Sequence, residues 1–79
     1  MNTFREVMRL FPLAVRKDYG GFILVAFEEK SGFWRGRAWR SSDWKSFDVD
    51  VTGVSSDDVF SQYRVKISVL RDLAGVPVT

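Results

Sequence analysis

The residues best suited to chemistry lie in the middle of the chain. Phe33, Arg35, Arg37, Trp39, Arg40 and Trp44 interleave aromatic rings with guanidinium groups. Rings bury large areas and Arg supplies a rigid fork of donors, a mixture found at protein-recognition hot spots and on platforms for single-stranded nucleic acid. Asp48 and Asp50 follow on one side of an alternating segment, and Asp57 and Asp58 are adjacent. Either carboxylate pair offers oxygen ligands to Mg²⁺, although cross-strand ion pairing and helix capping account for both more simply. The chain has no Cys and no His, so thiolate nucleophiles, imidazole bases and the commonest metal ligand are absent. Its glycines form no phosphate-binding loop. No catalytic set emerges and no cofactor is implied, so the expectation is a non-enzymatic protein.

Those residues need elements to position them. Phe22–Lys30 and Phe33–Arg40 are rich in aromatic and aliphatic residues, and Ser31-Gly32 between them reads as a two-residue hairpin turn. Pairing Lys30 with Phe33 sets Phe27 opposite Gly36, Val25 opposite Ala38, Glu28 opposite Arg35 and Leu24 opposite Trp39. One face then carries Ile23, Val25, Phe27, Trp34, Gly36 and Ala38. The next strand, Lys45–Thr52, alternates Phe47, Val49 and Val51 with Ser46, Asp48 and Asp50. A short loop, Ser41–Trp44, places Phe47 beside Ala38 and Val49 beside Gly36, with Asp48 opposite Arg37 and Asp50 opposite Arg35. A further strand over Leu13–Lys17 is expected to return through Asp18-Tyr19-Gly20-Gly21.

Helices are expected at both ends. Phe4, Val7, Met8 and Phe11 recur at helical spacing ahead of Pro12, which predicts a short N-terminal helix. Ser55 is an N-cap candidate with Asp57 and Asp58 in the first turn, and Gly75 and Pro77 are stop signals. Val59, Phe60, Tyr63, Ile67, Leu70 and Ala74 between them predict one amphipathic helix of about five turns. The expected fold class is therefore α+β: a three- or four-stranded antiparallel meander packed by a long C-terminal amphipathic helix, with a short N-terminal helix. Residues 1–79 are expected to form one domain, because 79 residues bury roughly 60% of their surface and no linker or repeat interrupts them.

The face away from the long helix is then expected to show Phe22, Leu24, Phe33, Arg35, Arg37, Trp39, Glu28, Asp48 and Asp50, with Trp44 in the neighbouring loop. Of these, Phe33, Arg35, Arg37, Trp39, Trp44, Asp48 and Asp50, together with Arg40, are the candidate partner-binding residues. The competing reading packs Trp39 and Leu24 under the N-terminal segment and neutralises the arginines with Asp48, Asp50 and Glu28. Charge alternates in blocks: +3 over residues 1–17, −3 over 18–29, +4 over 30–45, −4 over 46–58 and +2 over 59–79. Alternating blocks suit antiparallel neighbours that pair with one another.

A net charge of +2 is too small to imply nucleic acid by itself. The longest apolar run, Phe22–Phe27, is far short of a membrane span, and the first residues lack a signal-peptide pattern. A cytoplasmic protein is expected, monomeric or weakly dimeric. Arg35-Gly36 opens like the aromatic strand motif of RNA-recognition domains, but Arg37 and Ser42 stand where rings are expected. Double-stranded RNA binding domains present a basic helix start, where this chain has Asp57 and Asp58.

The meander over Phe22–Thr52 and the backing helix over Ser55–Ala74 together resemble small phage-encoded anti-CRISPR proteins. The resemblance is architectural and covers about two thirds of the chain. It implies a stoichiometric inhibitor in the host cytoplasm, acting on a crRNA-guided type I surveillance complex and blocking target DNA binding. Asp43, Asp48, Asp50, Asp57 and Asp58 would then face a basic channel, with Trp39 and Trp44 as apolar anchors. The basic block Lys30–Lys45 would instead suit an acidic or ribonucleoprotein surface. A single-stranded nucleic-acid-binding domain and an antitoxin-like partner that oligomerises through exposed edge strands are the alternatives.

Overall fold

The computed structural model describes residues 3–75, with the side chains of Asp48 and Asp50 outside that description. In chain order the elements are α1 (Phe4–Leu10), β1 (Val15–Tyr19), β2 (Phe22–Lys30), β3 (Phe33–Arg40), β4 (Ser46–Gly53), α2 (Ser56–Val65) and α3 (Ile67–Ala74). The strands form one antiparallel sheet in the order β1-β2-β3-β4. The fold is the expected α+β class: α2 and α3 pack on one face of the meander, and α1 packs on the other.

Local chemistry sets the ends of the elements. Thr3 caps α1 by accepting from the Glu6 N–H at 3.2 Å, and its hydroxyl donates to the Glu6 carboxylate at 3.0 Å. Ser55 caps α2 in the same way, accepting from the Asp58 N–H at 3.1 Å. The Asp58 carboxylate in turn accepts from the Val54 N–H at 3.1 Å. Gly75 ends α3 in the left-handed conformation at φ 69°. The other expected stop signal, Pro77, lies outside the described residues.

The first hairpin has a clean turn and the second does not. Gly20 and Gly21 both have positive φ, 58° and 87°, as a type I′ turn requires, and β1 pairs β2 without a slip from Val15↔Ala26 to Tyr19↔Phe22. This corrects the expected strand over Leu13–Lys17: the tight glycine turn leaves Asp18 and Tyr19 paired in β1 and not in the return. At Ser31-Gly32 only Gly32 is left-handed, at φ 74°. A turn of that kind inserts an extra strand residue, here Glu29, between the Glu28↔Trp34 and Lys30↔Phe33 pairs. That one-residue bulge corrects the expected register: Ile23 faces Trp39, Leu24 faces Ala38 and Phe27 faces Arg35. Because side chains alternate, it moves the β2 residues ahead of the bulge, 22–28, to the opposite face.

A second bulge separates β3 from β4. Ala38 does face Phe47, but Gly36 faces Val51 and Arg35 faces Thr52, so residues 48–50 stand against Arg37. The expected pairings of Val49 with Gly36 and Asp50 with Arg35 are therefore corrected. An even number of inserted residues keeps the alternation, and Phe47, Val49 and Val51 still share one face.

Two apolar clusters result, one on each side of the sheet. Phe22, Leu24, Ala26, Ala38, Phe47 and Val51 meet Val59, Phe60, Tyr63 and Leu70 of the C-terminal helices. Ile23, Val25, Phe27 and Trp39 meet Val7, with Phe4, Met8, Phe11 and Ala14 around them. The expected single C-terminal helix is broken at Lys66, whose φ −92° and ψ 9° leave the helical region. A straight helix over that length would span roughly 28 Å against a twisted sheet. The bend keeps both halves in contact, burying Tyr63 and Leu70 and bringing Ile67 beside Gly20. No helix among the described residues is long and apolar enough to cross a membrane.

Candidate functional site

The covered second face changes where a partner can bind. Trp39 is 2% exposed beneath α1, with the Phe4 ring edge-on at 5.6 Å. It is a core residue, not the exposed anchor expected on an open face. Phe22 and Leu24, also expected on that face, are buried on the opposite side under α2 and α3.

Trp44, the other expected anchor, is 46% exposed in the loop between β3 and β4. Its φ of 62° places a bulky residue in left-handed backbone, a conformation held there by its surroundings. The Trp44 N–H donates to the Arg40 carbonyl at 2.7 Å, and the Arg40 N–H donates to the Lys45 carbonyl at 2.8 Å. Arg40 Nε and Nη2 bind both oxygens of Asp43 at 2.9 and 2.7 Å. That guanidinium, with the Lys45 N–H, holds the Asp43 carboxyl down at about 2, so it is ionised throughout the neutral range. Arg40 Nη1 donates to the Ala74 carbonyl at 2.8 Å, tying the loop to the end of α3.

Thus fixed, Trp44 packs against Phe4 of α1, with ring centroids 5.0 Å apart and planes 32° apart. Arg16 of β1 lies over both rings, 5.4 Å from the Phe4 centroid and 5.8 Å from that of Trp44. Arg16 also forms a two-pronged ion pair with Asp18 at 2.9 and 3.2 Å, which lowers the Asp18 pKa and raises its own. Beside these groups a cleft of about 630 Å³ is lined by Phe4, Met8 and the two tryptophans Trp39 and Trp44, with Arg5 and Arg16 at its polar side. Apolar walls with a few convergent polar groups are the usual makeup of a binding site.

The other candidates are scattered. Arg35 pairs through Nε with Glu29, the bulge residue, at 2.6 Å and lies 6.0 Å from the half-buried Phe33 ring. Arg37 is half-buried opposite residues 48–50. Asp48 and Asp50 are on β4, their side chains outside the described residues. The aromatic and arginine residues of β3 therefore form no open stacking platform, because α1 covers the tryptophan at its centre. Phe4, Arg5, Met8 and Arg16 were not among the expected site residues. The helical spacing of Phe4 and Met8 marked an apolar face, but nothing in the sequence indicated that this face lies beside the Trp44 loop.

No family model matches the chain, and comparison with curated proteins and with solved structures returns no match.

Proposed function

We propose that this chain is a small non-enzymatic interaction protein that inhibits a larger assembly by occupying part of its surface. The partner class follows the architectural resemblance: a crRNA-guided type I effector, whose binding to target DNA is blocked in the manner of anti-CRISPR proteins. Trp44 carries the reading. A large ring held half-exposed at positive φ, beside an apolar cleft with Arg5 and Arg16 on its rim, is better suited to receive a partner than to stabilise its own fold.

A phage-plating assay tests this. In cells with an active type I system, producing the protein is expected to restore plaques of a targeted phage. Trp44→Ala is expected to lose that effect while remaining folded by circular dichroism. Full interference in the presence of the wild-type protein, across the type I subtypes, would overturn the inhibitor reading.

A further inference from the structure

One edge of the sheet carries a sequence complementary to itself. β1 ends the strand order, and all five of its residues are exposed. The pair flanking a two-residue turn exchanges both its hydrogen bonds, and bonded pairs alternate from there. Tyr19, Lys17 and Val15 therefore bond to β2, while the N–H and C=O groups of Arg16 and Asp18 point away from the sheet. Such an edge is a template for another strand. The side chains of Arg16 and Asp18 share the α1 face, joined as an ion pair. Val15 and Tyr19, 40% and 37% exposed, share the other face with Lys17 between them.

We propose that a second copy of this chain pairs antiparallel with β1 about a two-fold axis at Lys17, doubling the four-stranded sheet. In that register Arg16 faces Asp18 of the second copy, and Asp18 faces its Arg16. The outward backbone groups of each edge meet their counterparts, and the two internal ion pairs close into a ring of alternating charge. On the other face Val15 lies against Tyr19 of the second copy, an apolar cross-strand pair that the axis repeats. One pairing opposes association, Lys17 against its own counterpart. Its ammonium lies 5.7 Å from the Phe60 ring centroid of its own chain, where the ring quadrupole offsets part of that repulsion.

A strand of another protein that lacks this spacing of Arg and Asp would find the same free backbone groups but not this match of charge and side chain. The two-fold axis of an antiparallel pair is perpendicular to the sheet, so both α1 helices and both Trp44 clefts come to one side. The inference is independent of the proposed partner, since it rests on the edge alone. A ribbon of five residues buries less than the roughly 800 Å² per partner of a standard interface, so the dimer is weak and dissociates on dilution.

Sedimentation equilibrium on the full chain tests it. The weight-average mass is expected to climb from one chain toward two as concentration rises. Arg16→Asp and Asp18→Arg each set like charges across the axis and are expected to hold the mass at one chain, with cooperative melting retained. The double variant R16D/D18R restores the complementarity and is expected to recover the dimer. A mass fixed at one chain up to about 1 mM would overturn the proposal. So would a dimer indifferent to either single reversal, or a double variant that stays monomeric.

Discussion

At Trp44 two local energies oppose each other. A φ of 62° costs an L residue roughly 1–2 kcal/mol, while the contact of its ring with Phe4 returns about 0.5–1.5 kcal/mol. Trp44→Gly removes both, because glycine adopts left-handed backbone freely; Trp44→Ala removes the contact and keeps the strain. In urea denaturation the glycine variant is expected to match the parent closely, and the alanine variant to be about 1 kcal/mol less stable than the glycine variant. Equal stability of the two variants would show that the loop carries no strain at this position. The same residue shows what a sequence reveals of a site. An aromatic residue in a loop flanked by Ser, Asp and Lys reads as exposed, and Trp44 is. Trp39 lies in an equally polar stretch of arginines, yet it is buried, because burial depends on whether a distant helix reaches it.

Among the elements, the signals that read correctly are local. The Ser55 cap and the Gly75 stop each involve a few neighbouring residues, whereas the Thr3 cap was not among the expected signals and the first return takes only Gly20-Gly21, not the expected Asp18–Gly21. Register failed where it depends on bulges. Ser31-Gly32 lacks the two left-handed residues of a type I′ turn, and one extra residue reverses which face β2 presents. The consequence concentrates at Gly36. The bulge leaves it facing Ala26 beneath α2, where a Cβ would stand 2.5 Å from Tyr63 Cε2 and 2.7 Å from Val59 Cγ1. Both neighbours are fully buried, and the Tyr63 hydroxyl is anchored by donating to the Val49 carbonyl at 3.1 Å. Neither can move aside without disturbing the cluster, so Gly36→Ala is expected to cost about 1–3 kcal/mol by chemical denaturation. An unchanged midpoint would mean that α2 does not approach β3 this closely.

For the molecule as a whole, the sheet serves two cores at once. Successive residues of β2 feed opposite sides: Leu24 and Ala26 join the cluster under α2 and α3, while Ile23 and Val25 join the one under α1. Neither cluster can lose its strands without exposing the other. Seven-residue α1 is too short to be helical by itself, so its structure depends on that shared sheet. Unfolding is therefore expected to be a single transition, and the tryptophans can report on it separately. Trp34 packs against the α2 and α3 side, and Trp39 is buried on the α1 side. In two variants that each keep one of these residues, with the other tryptophans replaced by phenylalanine, the fluorescence melt should overlay the far-ultraviolet dichroism melt. If the Trp39 signal moved at lower temperature than the dichroism, α1 would be a separately detaching unit. The α1 wall of the Trp44 cleft would then open without global unfolding, and Phe4, Met8 and Arg5 would leave the site together.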